Sequence, residues 1–203
     1  MKTLIFDFDG TIADSFELIL AIFQEISPRT KKLTSEEIDQ LKGENLRQIT
    51  KYLKIRRWQI PRLLFRGRKL LSAKILSVKP FPAIPGVLKQ LHFSGLDMYL
   101  LSTNSPDNIN KFLKKNGLET YFKSIYGDIG LRGKASAINR IIKKEHLNRT
   151  DCVYIGDEVR DVEAAKKAGV KSVGVTWGFN NAQAIRTAGP DLVANQAKDL
   201  LNI

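Results

Sequence analysis

The chain has 203 residues, 43% hydrophobic and 27% charged, which supplies enough apolar material for a buried core and excludes a disordered chain. No apolar run nears the roughly 20 residues that span a bilayer. The net charge is +12, and the single cysteine, Cys152, excludes an intramolecular disulfide and a multi-cysteine zinc site.

Lys2–Asp7 is a short apolar run closed by an acid, and it reads as a buried strand. Asp7 and Asp9 stand where an export signal would need an apolar stretch, so a soluble cytoplasmic protein is expected. From Ser15 onward the rhythm changes. Ser15–Ile26, Ser35–Leu53 and Arg57–Ile75 carry helical periodicity and no strand pattern. Thr34-Ser35-Glu36-Glu37 offers a cap followed by acids, and Pro61 suits a helix start. This segment also holds the charge: 15 of the 33 Lys and Arg lie between Arg29 and Lys79, against four acids. Residues 51–79 have ten basic side chains and no acid. Such a run reads first as a solvated basic face, and second as a surface that draws anions.

The Pro-rich stretch 80–86 closes the helical segment. Beyond it, Met98–Leu101, Ser124–Tyr126, Cys152–Ile155, Ser172–Thr176 and Asp191–Val193 are short apolar runs. They alternate with helix-length patterns at Gly86–Phe93, Pro106–Asn116, Ala135–Glu145 and Asp161–Ala168. Strands alternating with helices predict a parallel α/β sheet. The expected organisation is an α/β core from residues 1–14 and 80–203, with an all-helical insert at 15–79. Cys152 reads as a small core residue, and His92 and His146 as ordinary helix residues.

Ligands of open parallel sheets bind at the carboxyl ends of the strands. Here those ends carry Asp7-Phe8-Asp9-Gly10-Thr11, Ser102-Thr103-Asn104 and Gly156-Asp157-Glu158-Val159-Arg160-Asp161, with Gly133-Lys134 opening a helix. Gathered carboxylates repel and raise one another's pKa unless a cation sits among them. A hard cation with oxygen ligands answers this, and Mg²⁺ is the natural choice beside a phosphate. A carboxylate can attack phosphorus, a second can act as acid and base, and a hydroxyl and a lysine can hold the moving phosphoryl group.

DFDGTIADS, LLSTN, GK and GDEVRD resemble, in order and spacing, the four motifs of the haloacid dehalogenase superfamily. The likeness runs over nearly the whole chain, including Pro85-Gly86, Ala164–Gly169 and Val175–Gly178. It is strongest to the phosphoglycolate phosphatase-like branch, with a helical cap after the first motif. The resemblance implies a Rossmann-like core, Asp7 as nucleophile and Asp9 as general acid and base. It implies Mg²⁺ held by Asp7, the Asp9 main-chain carbonyl and Asp157, with Asp161 behind or through water. The second-motif hydroxyl falls on Ser102, or on Thr103 if the strand shifts by one residue, and Lys134 is the third-motif lysine. Glu158 ranks behind its neighbour, because Asp157 already fills the ligand position. Gly43–Arg47 resembles the cap loop that faces the site, which makes Arg47 a candidate substrate contact. Trp177 and Phe179 read as packing residues.

The expected activity is hydrolysis of a small phosphorylated metabolite by a monomer or homodimer. The alternatives are a phosphomutase or pyrophosphatase of the same superfamily, or a protein whose basic cap binds nucleic acid or an anionic membrane.

Overall fold

A computed structural model describes the chain apart from residues 1, 28–31, 42, 43, 45 and 130–132, and apart from the side chains of 26, 35, 39, 46, 47, 57 and 60–65. Six strands form one parallel sheet: β1 (Thr3–Phe6), β2 (Asp97–Leu101), β3 (Ser124–Tyr126), β4 (Cys152–Gly156), β5 (Lys171–Val175) and β6 (Leu192–Ala194). Their order is β3-β2-β1-β4-β5-β6. The chain winds outward from β1 to one edge, then returns to lay β4 on the other side of β1. The carboxyl ends of β1 and β4 therefore flank the point where the winding reverses, where such sheets open a crevice.

Side-chain alternation along the strands splits the core in two. Leu4, Phe6, Met98, Leu100, Val153 and Ile155 face one layer with α5 (Ile84–Phe93) and α6 (Pro106–Asn116). Ile5, Tyr99, Leu101, Cys152 and Tyr154 face the other with α7 (Gly133–Lys144) and α8 (Val159–Ala168). Both faces are covered, which is why the strands read as continuous apolar runs rather than alternating ones. Cys152 is fully buried. His146 does not continue α7: it takes φ +53 in the turn that ends it.

Between β1 and α5 in sequence lie α1 (Phe16–Ile26), α2 (Ser35–Leu41), α3 (Leu46–Tyr52) and α4 (Ile60–Lys74). They have a small core of their own around Phe16, Leu20, Leu41, Ile49 and Leu53. The start of α2 is capped reciprocally, with Thr34 N–H donating to Glu37 (2.8 Å) and Glu37 N–H to the Thr34 hydroxyl (3.3 Å). Pro61 stands in the first turn of α4. The single helix expected over 35–53 is two helices, and Gly43, a poor helix former, falls between them in the sequence. No helix among the described residues is long and apolar enough to cross a membrane. On the basic segment Trp58 is 71% exposed. On it Lys74 is ion-paired to Glu25 within the helices, and Arg68 to Asp128 on the loop after β3.

Candidate active site

Asp7 is the first residue past β1, where its N–H still donates to Ile155 O (2.8 Å) and so fixes its place beside β4. Ser102 stands likewise past β2, donating to Tyr126 O (2.9 Å). Asp157 follows β4, and α8 begins two residues later. Asp161, in the first turn of α8, accepts the Glu158 N–H (3.1 Å) and caps that helix. Sheet register and one helix start thus deliver three carboxylates to one spot.

Asp7, Asp157, Asp161 and Lys134 are 4%, 0%, 1% and 7% exposed, so three carboxyl groups and one ammonium are gathered in a buried cluster. Lys134 Nζ donates to Asp7 Oδ2 at 2.6 Å and also to Asp161 Oδ1. Burial alone would lower the lysine's pKa, but the Asp161 and Asp7 carboxylates outweigh it and hold the ammonium well above its ordinary value. Burial pushes the Asp7 carboxyl up to about 7, with Asp161 adding to the rise and Lys134 opposing it. Asp157 is raised well above the usual carboxylate range, by burial first and then by Asp7, Asp161 and Glu158.

Each Asp157 oxygen has a donor: the Thr11 hydroxyl at 2.8 Å and the Phe179 N–H at 2.7 Å. The turn that brings Thr11 there requires Gly10. Its φ is +81, and a Cβ on it would lie 2.2 Å from Asp157 Oδ2. Trp177 Nε1–H donates to Thr11 O (3.1 Å), and Phe179 packs edge-on against Phe16 with ring centroids 5.3 Å apart. Both therefore pack, as expected, while Phe179 also serves the site through its backbone.

Asp9 is partly buried and held by the Ser15 hydroxyl (2.8 Å) and the Asn104 amide (3.1 Å). Burial raises its pKa, against those two bonds. Asn104 N–H also donates to Ser102 Oγ (3.0 Å), so one residue links the acid to the hydroxyl. A cavity of about 310 Å³ opens above Asp7 and Asp9, walled by Phe16, Ile19, Leu20, Phe23, Ile49 and Phe179. Ser102, Thr103, Glu158 and Arg160 also line it. Both hydroxyl candidates are thus present, Ser102 buried and Thr103 exposed. Arg47 belongs to α3, but its side chain lies outside the described residues.

The carboxylate oxygens of Asp7, Glu158 and Asp161 lie within 4.8 Å of one another. Glu158, ranked behind Asp157 in the sequence, enters this group, whereas the side chains of Asp157 and Asp9 are engaged with the donors named above. An ion pair with Arg160 steadies Glu158. Thr11, Ser15 and Asn104 carried no signal beyond sitting next to the motif acids or the motif hydroxyl.

A family model described as haloacid dehalogenase-like hydrolase matches residues 4–175. A phosphoglycolate phosphatase of Synechococcus elongatus is 35% identical over 99% of this chain and 96% of its own length. The pyrophosphatase PpaX of Listeria innocua is 26% identical over 100% and 96%. Among solved structures, a haloacid dehalogenase-like family hydrolase from Streptococcus pneumoniae superposes with a TM-score of 0.84 at 24% identity, covering 100% of this chain and 97% of that one. With the four motifs set around one crevice of a reversing parallel sheet, these matches place the chain in the haloacid dehalogenase-like hydrolase family.

Proposed function

We propose that the protein is a Mg²⁺-dependent phosphatase that hydrolyses a small phosphomonoester through an aspartyl-phosphate. The observation that carries this reading is the buried cluster of Asp7, Asp157 and Asp161, of which Lys134 pairs with Asp7 and Asp161, beneath a cavity. Three buried carboxyl groups exceed what one lysine neutralises, so a divalent cation fits the surplus. Asp7, Asp157, the Asp9 main-chain carbonyl and Glu158 would hold it, with Asp161 behind. The Asp157 oxygens each accept one hydrogen bond and keep lone pairs for a ligand. When bound, the ion supplies charge neutralisation to the phosphoryl oxygens.

In this reading an Asp7 oxygen attacks phosphorus, the ester P–O bond breaks, and Asp9 gives its proton to the leaving oxygen. Its raised pKa keeps Asp9 protonated to higher pH than a free carboxyl, as an acid requires. Asp9 then takes a proton from water, whose oxygen attacks phosphorus and releases phosphate with Asp7 restored. Lys134 and Ser102 hold the phosphoryl oxygens through both steps. Helices 15–79 act as a cap over the crevice, and their basic face concentrates anionic esters. Arg47 remains a proposed substrate contact. The relatives named pyrophosphatase favour a second reading, in which the substrate is an anhydride and the same residues act.

Phosphate release is measured with Mg²⁺ over phosphoglycolate, sugar phosphates, nucleotides and pyrophosphate, with Asp7→Asn alongside. Release that disappears in EDTA and in the folded variant supports the mechanism. A turning-over Asp7→Asn enzyme refutes it, and the ranking separates ester from anhydride.

A further inference from the structure

The cavity above Asp7 does not end at Asp9. Asp9, Thr103, Ile19 and Phe23 also wall a second chamber of about 450 Å³, between α1, α4 and the loops after β2 and β3. We propose that this annex seats the leaving group of the substrate, and that the leaving group is a neutral, hydroxyl-bearing ring, as in a sugar or nucleoside monophosphate. The proposal rests on the phosphatase reading above and specifies its substrate.

Size is the first argument. A two-carbon leaving group ends within about 4 Å of the phosphoryl oxygen and stays in the first chamber. The annex alone falls in the range of roughly 300–1,000 Å³ that holds a whole small molecule.

Chemistry is the second. One side of the annex is apolar, formed by Ile22, Phe23 and Leu71. The other presents Arg68 and Asp128, paired loosely at 3.8 Å. Asp128 is fixed: its N–H donates to Asn104 O at 2.8 Å and its φ is +51. That backbone anchor keeps the Asp128 carboxylate at the annex wall, and Asp9 lies on the same chamber. An anionic leaving group would have to draw Arg68 away from Asp128 and leave that carboxylate facing a like charge. A hydroxyl group gives a donor to Asp128 and an acceptor to Arg68 without unpairing either charge. The apolar face of its ring packs on Phe23 and Leu71.

Gly67 of α4 lines the annex, and a Cβ there would meet only Ile22 Cγ2 at 3.6 Å, an ordinary contact. Gly67→Leu therefore enters the chamber through a Cβ that meets no clash, and with better helix propensity. The test measures kcat/KM for ribose 5-phosphate, adenosine 5′-monophosphate and phosphoglycolate in both proteins with Mg²⁺. Calorimetric Kd values for the same three esters are taken on Asp7→Asn with and without Gly67→Leu. Wild type should prefer a ring ester over phosphoglycolate by about tenfold or more, and Gly67→Leu should lower that ratio by a similar factor. The better ring ester identifies a free sugar or a nucleoside as the occupant. Phosphoglycolate preferred over both, or a ratio unmoved by Gly67→Leu, overturns the proposal. Should no ester be hydrolysed, the phosphatase reading falls by itself. The annex then stands if the ring esters still bind Asp7→Asn more tightly and lose that advantage with Gly67→Leu, and it falls if they do not.

Discussion

Metal-free protein is expected to lose stability as the pH rises from about 4 to about 7, against the usual direction for a carboxylate. The Asp7 carboxyl is pushed up to about 7 in the folded chain, by burial and by Asp161 against the pull of Lys134, from an ordinary value of 3.8. Between those values the folded state holds a proton that the unfolded chain has released. Stability therefore falls with rising pH across that window and is level on either side. One proton is worth about 1.4 kcal/mol per pH unit, so a window of roughly three units amounts to about 4 kcal/mol. That is a large share of the roughly 5–15 kcal/mol that holds a domain folded. Asp9 and Asp157 shift in the same direction and add the same sign. Lys134 does not enter: its raised pKa adds stability that persists until the pH passes the ordinary lysine value of 10.5. Asp7→Asn has no proton to release at this position, so the wild-type profile minus the variant's isolates Asp7 from the general charge of a +12 chain. The assay is denaturant unfolding from pH 4.5 to 7.5, in EDTA and in saturating Mg²⁺. In EDTA the difference should change by several kcal/mol, and Mg²⁺ should flatten it, because a cation bound only by the folded state competes with the proton. A difference that stays constant in EDTA, or one that Mg²⁺ leaves unchanged, refutes the reasoning.

Thr11→Val keeps the shape of the side chain and removes the hydroxyl that donates to Asp157. It should cost about 1–3 kcal/mol of stability in EDTA, read by denaturant midpoint. Gly10→Ala should abolish turnover and lower Tm, since its Cβ would sit 2.2 Å from Asp157 Oδ2 at a φ of +81. Gly67→Ala, mid-helix and uncrowded, should raise stability by up to about 1 kcal/mol; thermal unfolding of the pair separates a glycine needed for shape from one that is not.

What could be read from the sequence was what repeats along it. The strands could be found because both faces of the sheet are buried, which leaves runs such as Leu4-Ile5-Phe6 uniformly apolar. Asp7, Asp157 and Asp161 could be located because strand ends are fixed by those runs, and their convergence follows from parallel topology. Contacts across long separations could not be read. The Thr11–Asp157 bond joins residues 146 apart and leaves no local pattern. Sequence ranks Glu158 behind its neighbour, yet the backbone turn into α8 brings Glu158 oxygen to Asp7 and Asp161 while Asp157 accepts from Thr11 and Phe179. The break in residues 35–53 was missed because both halves keep helical periodicity.

Asn104 shows how one side chain without charge organises the whole crevice. Its amide donates to Asp9, its N–H to Ser102 Oγ, its carbonyl accepts the Asp128 N–H, and its side-chain oxygen accepts Ser105 N–H and the Asn108 amide. An aspartate at this position would keep the acceptors but lose the donor and set a second carboxylate against Asp9, so the neutral amide is the group that fits. The acid proposed to protonate the leaving oxygen and the loop carrying the annex carboxylate are thereby hung on one residue past β2. The loop that would meet a ring seated between Arg68 and Asp128 is the one Asn104 holds, and the same residue orients Asp9. Hydrogen bonds of one residue thus join Asp9, Ser102 and the loop that carries Asp128.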